Sequence, residues 1–271
     1  MTAPLIVENL VKQFPPALSG WRAMLQPFAA PTVCALEGVS LTVAAGESLA
    51  VVGANGAGKS TLLRILSTLL LPTAGRAVVG GCDVASDPAG VRRQIGLHTG
   101  GDGGFYGRLG ARENLRFFAT LNNLSGPGAT RRIDEVMELM GLGTMRDHQV
   151  RTLSTGTVHR LGLARALLHT PAVLLLDEPT RSLDPVAAAD FRRFVRDEVV
   201  RRRGVSLLFA THSLDEVEDM ADRVAILHAG KLLACETRAR IRAMTSSNSL
   251  EQALQQLLRS AGASSDARGA R

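Results

Sequence analysis

The sequence predicts an α/β protein with a largely parallel sheet, and three short apolar runs carry that prediction. Residues 173–177 and 205–210 are continuous apolar runs, which are typical of central parallel strands covered by helices on both faces. The third run, residues 47–52, leads into a glycine-rich loop, after which residues 62–70 are apolar at helical spacing. We therefore expect a strand, a glycine turn and a helix to follow one another directly.

Length and composition favour a soluble globular protein. A chain of 271 residues suits one large domain or two small ones, and 45% hydrophobic with 21% charged residues is an ordinary balance. The cysteines Cys34, Cys82 and Cys235 match no disulfide framework or metal spacing, which favours a reducing cytosolic compartment. Because no apolar run has the length of a membrane span and no signal peptide is apparent, we expect the chain not to cross a membrane by itself.

The net charge of +6 suits either nucleic acid or an anionic membrane surface. The densest basic stretch, between residues 192 and 203, is interleaved with Asp197 and Glu198. Opposite charges at this spacing are typical of a solvated helix face. We therefore expect no nucleic-acid partner.

Shorter patterns predict the remaining strands. These strands are expected at residues 5–10 (ending near Phe14), 36–43, 76–79, 94–97, 223–227 and 231–234. Between the first two lies a segment rich in proline and alanine, residues 15–33, where Trp21, Leu25 and Phe28 share one face of a short predicted helix. Two explanations stay open for that face: it docks a partner, or it packs on its own domain.

Residues 105–168 predict a helical subdomain inserted between strands. Apolar residues at helical spacing run from 112 to 140 with a break at 125–128, and Ser154 is well placed to cap a further helix at 157–168. We place the main domain at residues 1–245. A short helix at 250–258 and a disordered tail at 260–271 are expected to follow it.

The glycine-rich loop has the spacing G-x-x-x-x-G-K-[ST] of a phosphate-binding P-loop. Its residues are Gly53, Ala54, Asn55, Gly56, Ala57, Gly58, Lys59, Ser60 and Thr61. Glycine lets the backbone approach an anion closely, and the loop amides with the N-terminus of the next helix cradle phosphates. We expect Lys59 to reach the β- and γ-phosphates and the Ser60 hydroxyl to bind Mg²⁺. The loop predicts a nucleoside triphosphate ligand but does not separate kinases, GTPases and ATPases.

Asp177 and Glu178 end the apolar strand at residues 173–177. Parallel strands present their carboxyl ends to the ligand crevice, so we expect both side chains beside the P-loop. Asp177 is predicted to hold Mg²⁺ from the side opposite Ser60. Glu178 is predicted to orient or deprotonate the attacking water.

Together these motifs resemble the ATP-binding subunit of an ATP-binding-cassette (ABC) transporter, over about residues 5–236. The P-loop matches the Walker A motif of that family, and residues 174–179 match Walker B with its glutamate. The other matching positions are Phe14 for the aromatic residue that stacks on adenine, Leu153 to Thr157 for the signature loop, Ser182 to Pro185 for the D-loop, and His212 for the switch histidine. The ordered set is more specific than any one motif.

The resemblance implies a fold, a chemistry and partners. The implied fold is an α/β P-loop NTPase (RecA-like) core with an antiparallel β subdomain and an inserted helical subdomain. ATP and Mg²⁺ are the implied cofactors, with Lys59, Glu178 and His212 catalytic and with Ser60 and Asp177 on the metal. The residues implied to act in trans, on a nucleotide held by a second subunit of a head-to-tail dimer, are Ser154, Thr155, Gly156 and Asp184.

That second subunit is a copy of the chain or a related ATPase subunit. A separate transmembrane permease completes the implied complex and holds it at the cytoplasmic face of the cell membrane.

The chain departs from the family pattern in two loops. The usual signature is Leu-Ser-Gly-Gly-Gln, whereas here Thr155 and Thr157 replace the first glycine and the glutamine, and Gly156 is kept. We expect the γ-phosphate contact to survive and the contact from the glutamine position to weaken. The family's Q-loop glutamine is missing between residues 99 and 104, where either Gly100 or Gly101 takes its place. It stays open whether Asp102 or water supplies the missing oxygen, or whether this loop only contacts the membrane partner.

Export is the predicted direction of transport. It follows from the similarity of residues 178–185, of the Ser-Thr-Gly signature and of the 15–33 segment to ATPases paired with ABC-2-type permeases. The alternatives are an importer ATPase, a soluble ABC ATPase acting on ribosomes or DNA, and a regulatory nucleotide-binding module with little turnover.

Overall fold

The computed structural model describes residues 3–15, 32–100, 104–247 and 249–269, with the side chains of the last helix as far as Ala261. The predicted helix face of Trp21, Leu25 and Phe28 lies outside the described residues, as do Gly101 and Asp102 of the Q-loop region.

The strands of the described residues form two sheets. In chain order they are β1 Leu5–Phe14, β2 Val33–Val43, β3 Ser48–Val52, β4 Ala74–Val79, β5 Cys82–Asp83, β6 Ile95–His98, β7 Val173–Asp177, β8 Ser206–Thr211, β9 Arg223–His228 and β10 Lys231–Thr237. The smaller sheet is antiparallel and has the order β2-β1-β4-β5. The larger has the order β10-β9-β3-β8-β7-β6, and only β10 runs antiparallel to its neighbour. The predicted parallel sheet and antiparallel subdomain are both confirmed.

The register of the larger sheet brings the predicted motifs to one edge. Val52 pairs with Thr211, and Asp177 pairs with Ala210, so β3, β7 and β8 end side by side. The P-loop, the acid pair and residue 212 each follow one of these ends. Since parallel strands carry their ligands at the carboxyl edge, this register sets the position of the site.

Helices cover the larger sheet and build the inserted subdomain. They are α1 Lys59–Leu66, α2 Pro88–Gln94, α3 Ala111–Leu121, α4 Gly126–Leu139, α5 Thr155–Leu167, α6 Pro185–Phe194, α7 Leu214–Met220, α8 Arg238–Thr245 and α9 Leu250–Gly269. A π-helical stretch, Val195–Arg202, continues α6. Helices α3, α4 and α5 lie between β6 and β7, where the sequence predicts the helical subdomain. No described helix is both long and apolar enough to cross a membrane.

Two apolar cores flank the larger sheet. Leu174 and Leu176 of β7 pack into the core shared with the helical subdomain, whereas Val173 and Leu175 pack into the core shared with the antiparallel sheet and α1. Side chains alternate across a strand, so a strand buried on both faces is apolar throughout. This explains why the central strands lack polar alternation.

The structure corrects the predicted ends of two helices. Helix α4 begins at Gly126, inside the predicted break at 125–128, because Pro127 is tolerated in the first turn of a helix. Helix α9 continues to Gly269, where the sequence analysis predicted a disordered tail from Ser260. The alanines at 261, 263 and 267 have high helix propensity, which supports this extension. Strand β5 and helix α2 had no sequence prediction.

The arginine-rich stretch is a surface of ion pairs, as predicted. Arg192 pairs with Asp219 at 2.7 Å, and Arg196 pairs with Asp197 at 2.9 Å. Two further pairs at helical spacing are Arg201–Asp197 and Arg202–Glu198. Charges neutralised in this way do not form a free basic patch.

Candidate active site

The P-loop lies between β3 and α1 and packs tightly on its neighbours. Gly58 has φ +107°, and a Cβ there would lie 2.5 Å from the carbonyl oxygen of Ala35 in β2. A Cβ on Gly53 would lie 2.2 Å from the carbonyl oxygen of Leu227. Glycine is therefore required at both positions, as the motif predicts.

Lys59 is buried at the start of α1, with 6% of its surface exposed. Its Nζ donates to the carbonyl oxygens of Gly53 at 2.7 Å and Ala54 at 3.1 Å. Burial lowers the pKa of Lys59, and the carboxylates of Glu178 and Asp177 oppose that shift. A compact ammonium held by loop carbonyls in this way can transfer its contacts to phosphate oxygens.

The side chains of Ser60 and Asp177 are in contact beside the P-loop. The Ser60 hydroxyl donates to Oδ1 of Asp177 at 3.4 Å. Burial raises the pKa of Asp177, the Ser60 hydrogen bond lowers it, and the nearby Glu178 raises it. A hydroxyl and a half-buried carboxylate with further negative charge beside it fit Mg²⁺, which prefers hard oxygen ligands.

Glu178 sits on a strained turn directly after β7. Its φ is +47°, a left-handed conformation that is costly for a side chain of this size. Its backbone N–H donates to the Ala210 carbonyl at 2.9 Å, which ties the turn to β8. Its Oε1 lies 3.0 Å from Nδ1 of His212, and its Oε2 lies 3.4 Å from Nη1 of Arg181. The two predicted catalytic groups are therefore in contact.

These residues line two adjoining parts of one cleft. The first part is lined by Ala35, Asn55, Gly56, Ala57, Gly58, Lys59, Ser60, Thr61 and Glu178. The second is lined by Asn55, Ser60, Thr99, Gly100, Asp177, Glu178 and Arg181. Asn55, Ser60 and Glu178 border both, so the phosphate loop and the acid pair share a single space.

Phe14, which is predicted to stack on adenine, is the last residue of β1. It is not among the residues that line the cleft. It pairs with Val33 of β2, two residues before Ala35, whose carbonyl contacts Gly58. The Nζ of Lys12 lies 5.1 Å from the centre of the Phe14 ring. Phe14 thus belongs to the antiparallel sheet that packs against the P-loop.

The signature loop and the D-loop form a different pocket. Ser154 caps α5, accepting from the Thr157 N–H at 3.3 Å, and its hydroxyl lies 2.8 Å from that of Thr157. Asp184 caps α6, accepting from the N–H groups of Val186 and Ala187. Their pocket, of about 430 Å³, is lined by Ser154, Thr155, Gly156, Thr157, Arg160, Leu183, Asp184, Ala187 and Phe191. None of these residues lines the P-loop cleft, so the two pockets are separate.

The close packing around Gly100 is one reason why the family's Q-loop glutamine is absent at this position. It follows β6 with φ +60°, and a Cβ there would lie 2.7 Å from the carbonyl oxygen of Glu178. Only glycine allows the loop to approach the catalytic turn so closely.

Sequence patterns did not indicate Ala35, which lines the cleft beside the P-loop, or three further residues at the site. Thr99 and Arg181 line the cleft, and Glu216 contacts the catalytic turn through Thr180. Arg181 lies three residues after Glu178 and could have been found as its charge partner. Glu216 gives no local signal, since its partner is 36 positions away.

Comparisons with known proteins agree with this architecture. The ABC transporter family profile matches residues 36–181, which is 146 of the 271 residues. The ABC transporter ATP-binding protein NatA of Bacillus subtilis (strain 168) is 36% identical over 201 residues, 74% of this chain and 81% of NatA. The daunorubicin resistance ATP-binding protein DrrA3 of Streptomyces coeruleorubidus is 40% identical over 222 residues, 82% of this chain and 69% of DrrA3.

One solved structure supports the fold. The dimeric, post-hydrolysis ATP-binding cassette MJ0796 bound to ADP and Pi superimposes with a TM-score of 0.70 at 23% identity, covering 86% of this chain and 98% of that one. The sequence matches and this fold lead to one conclusion: the chain belongs to the ABC transporter family.

Proposed function

We propose that this chain hydrolyses ATP as the nucleotide-binding subunit of an ABC exporter. The observation that carries the proposal is the convergence of Lys59, Ser60, Asp177, Glu178 and His212 at the carboxyl edge of one sheet. A phosphate loop, a metal-binding pair and a carboxylate in contact with a histidine are the parts that γ-phosphate hydrolysis needs.

The P-loop half binds the phosphates. The loop amides and the N-terminus of α1 receive the negative charge, and Lys59 exchanges its carbonyl contacts for phosphate oxygens. Ser60 and Asp177 would hold Mg²⁺, which when bound neutralises charge on the β- and γ-phosphates. The strained turn keeps Glu178 directed into the cleft rather than along the strand.

Glu178 orients the attacking water and accepts its proton. His212, with 60% of its side chain exposed, contacts Oε1 of Glu178, which lines the cleft. There it orients the carboxylate and would contact the γ-phosphate. Phe14 stacks on the adenine ring beside the loop.

A second subunit completes the site. Because the signature and D-loop pocket is separate from the P-loop cleft, Ser154, Thr155, Gly156 and Asp184 serve the nucleotide held by the partner. A two-fold head-to-tail dimer satisfies both half-sites at once. The dimeric MJ0796 cassette, which has the same fold, is a precedent for this arrangement.

Export and a membrane partner extend the proposal. DrrA3 is by name a drug resistance ATP-binding protein, which favours export over the importer alternative. A permease would hold the subunit at the cytoplasmic face of the cell membrane. An exposed aromatic surface on α3 and the loop before it is suited to that contact: Tyr106 is 51% and Phe117 38% exposed, with ring centres 5.0 Å apart.

The general-base assignment is tested with Glu178→Gln in the full chain. Phosphate release from MgATP is expected to fall by about 10²–10⁴-fold, since the proton acceptor is lost. Equilibrium ATP binding is expected to remain, because Lys59 and the loop are unchanged. Exposed Glu8 in the antiparallel sheet supplies the control Glu8→Gln, which should leave turnover as in the wild type. Unchanged turnover in Glu178→Gln contradicts the assignment.

The membrane role is tested by purification from native membranes. A polytopic permease is expected to accompany the chain. Recovery with ribosomes or DNA, and never with a membrane subunit, contradicts the exporter proposal and favours the soluble ABC ATPase alternative.

A further inference from the structure

The turn after β7 carries Glu178, the proposed catalytic carboxylate. The buried carboxylate of Glu216, which belongs to a different element, holds this turn. Thr180 lies two residues beyond Glu178 in this turn. Its backbone N–H donates to Oε1 of Glu216 at 3.0 Å, and its hydroxyl donates to the same oxygen. Both donors of Thr180 are therefore engaged by one carboxylate.

Glu216 is built into the protein interior. It belongs to α7, the helix that follows His212, and only 1% of its surface is exposed. Its second oxygen, Oε2, is also buried and has no hydrogen-bond partner among the described residues. Burying a carboxylate with one oxygen unsatisfied costs free energy, so packing alone does not account for this residue. Its contact with Thr180 is the feature that does.

Two links therefore join the segment 212–216 to the catalytic turn. His212 contacts Glu178, and Glu216 contacts Thr180, with the buried Pro179 between them. The turn is also closely packed on the side of β6, since a Cβ on Gly100 would lie 2.7 Å from the carbonyl oxygen of Glu178. A turn held on both sides keeps its strained φ at Glu178.

The link continues toward the half-site that serves the partner. The Leu183 N–H donates to the Thr180 carbonyl at 3.0 Å, and Leu183 precedes Asp184. Thr180 thus connects Glu216 both to the turn that carries Glu178 and to the D-loop.

We propose that Glu216 is a positioning residue for hydrolysis, which fixes Thr180 and thereby aims the carboxylate of Glu178 at the attacking water. The inference rests on the proposed function for the role of Glu178. It adds the group that sets the geometry of the turn.

The test uses paired substitutions at both ends of the contact in the full chain. Glu216→Leu removes the acceptor, and kcat for MgATP is expected to fall about 10²-fold, the loss that a displacement of ~1 Å can cause. The KM for ATP is expected to stay within about twofold, since groups that bind substrate equally in ground and transition state are untouched. Glu216→Gln keeps an acceptor oxygen and is expected to recover most of kcat.

Thr180 provides a milder probe that does not disturb the core. Thr180→Val keeps the shape and the N–H but loses the hydroxyl, whereas Thr180→Ser keeps both donors. We expect a lower kcat for Val and a nearly wild-type kcat for Ser. Combining Thr180→Val with Glu216→Leu should cost less than the sum of the two single losses, because the residues share one contact. If Glu216→Leu does not fold, the Thr180 pair decides the question.

A second readout does not depend on turnover. Hydrogen exchange at the Thr180 amide is expected to be slow in the wild type and faster in Glu216→Leu. Wild-type kcat in Glu216→Leu and Thr180→Val, equal loss of kcat and ATP affinity, or unchanged exchange at Thr180 would overturn the inference. Failure of the proposed function looks different: the wild-type chain itself would then release no more phosphate than Lys59→Ala, whatever residue 180 or 216 is.

Discussion

The two halves of the proposed nucleotide site are built in different ways. The P-loop half is interior: Lys59 is buried, Asp177 is half-buried, and Glu178 is tied to β8 and to His212. The signature half lies at the surface, where exposed Ser154 and Asp184 are fixed mainly by caps within three residues of themselves. The half proposed to bind the phosphates is largely buried, whereas the half proposed to complete a partner's site is exposed. Three substitutions can break or sharpen this contrast.

Gly156→Ala tests whether the signature half is constrained only by a partner. Apart from its chain neighbours and the backbone of its own helix, the nearest atom to an added Cβ is Cβ of Ala187 at 3.9 Å, and alanine favours the helix. We therefore expect an unchanged or slightly higher melting temperature. Phosphate release is expected to fall about 10–10²-fold, as a loss of roughly 1.4–2.8 kcal/mol in a close contact to the partner's phosphate would cause.

The matched control is Gly128→Ala, another glycine in the first turns of a helix with open space around it. It should leave turnover unchanged. Wild-type turnover in Gly156→Ala would mean that no second subunit approaches this loop closely.

Asp177→Asn tests whether the charge of Asp177, which the proposed function requires, lowers the stability of the folded protein. Burial raises the pKa of Asp177, so ionisation costs the folded state stability as pH rises above the ordinary pKa. We expect Asn to raise the melting temperature by a few degrees in metal-free buffer at pH 7, of the order of ~1 kcal/mol. Hydrolysis with Mg²⁺ should be lost. Thermal melts with and without MgATP measure both effects, and Asp147→Asn at an exposed site is the control.

An unchanged or lower melting temperature for Asp177→Asn would contradict the inference that the charge of Asp177 lowers the stability of the folded protein.

His98 of β6 packs against α5, the helix that follows the signature loop. Its substitution is expected to have the smallest effect of the three. Its ring lies 5.5 Å from that of His159 on α5, it contacts Gly162, and neither ring nitrogen has a partner among the described residues. Burial lowers the pKa of His98 to about 3, and His159 and Arg165 add to that shift. The unfolded chain binds a proton near pH 6.5, so stability falls as pH decreases below that value, by up to about 1.4 kcal/mol per pH unit.

His98→Leu should therefore flatten the dependence of unfolding free energy on pH between 7 and 5, measured by urea titration. His148→Leu, at an exposed histidine, should leave the dependence as in the wild type. Equal slopes for all three proteins would exclude His98 as a contributor.

Local patterns predicted every strand except β5, and also the P-loop, the Ser154 cap and the edge at which the motifs meet, because each depends on nearby residues or on strand direction. The contact of Thr180 with Glu216 could not be predicted, since it joins residues 36 positions apart through tertiary packing. The same holds for Gly100, whose missing side chain makes sense only once the carbonyl of Glu178 lies 2.7 Å from its would-be Cβ. The site roles of all the residues named here stay predictions, those of Lys59, Ser60, Asp177, Glu178 and His212 as well as those of Phe14, Ser154, Thr155, Gly156 and Asp184.

The carbonyl contacts of Lys59 have a kinetic consequence. The carbonyls of Gly53 and Ala54 hold the ammonium, so the loop itself fixes the position of its cation. We therefore expect nucleotide binding to exchange these two carbonyl contacts for contacts with phosphate oxygens. Its association rate should be governed by diffusion and electrostatic steering, and selectivity among nucleotides is left to the dissociation step.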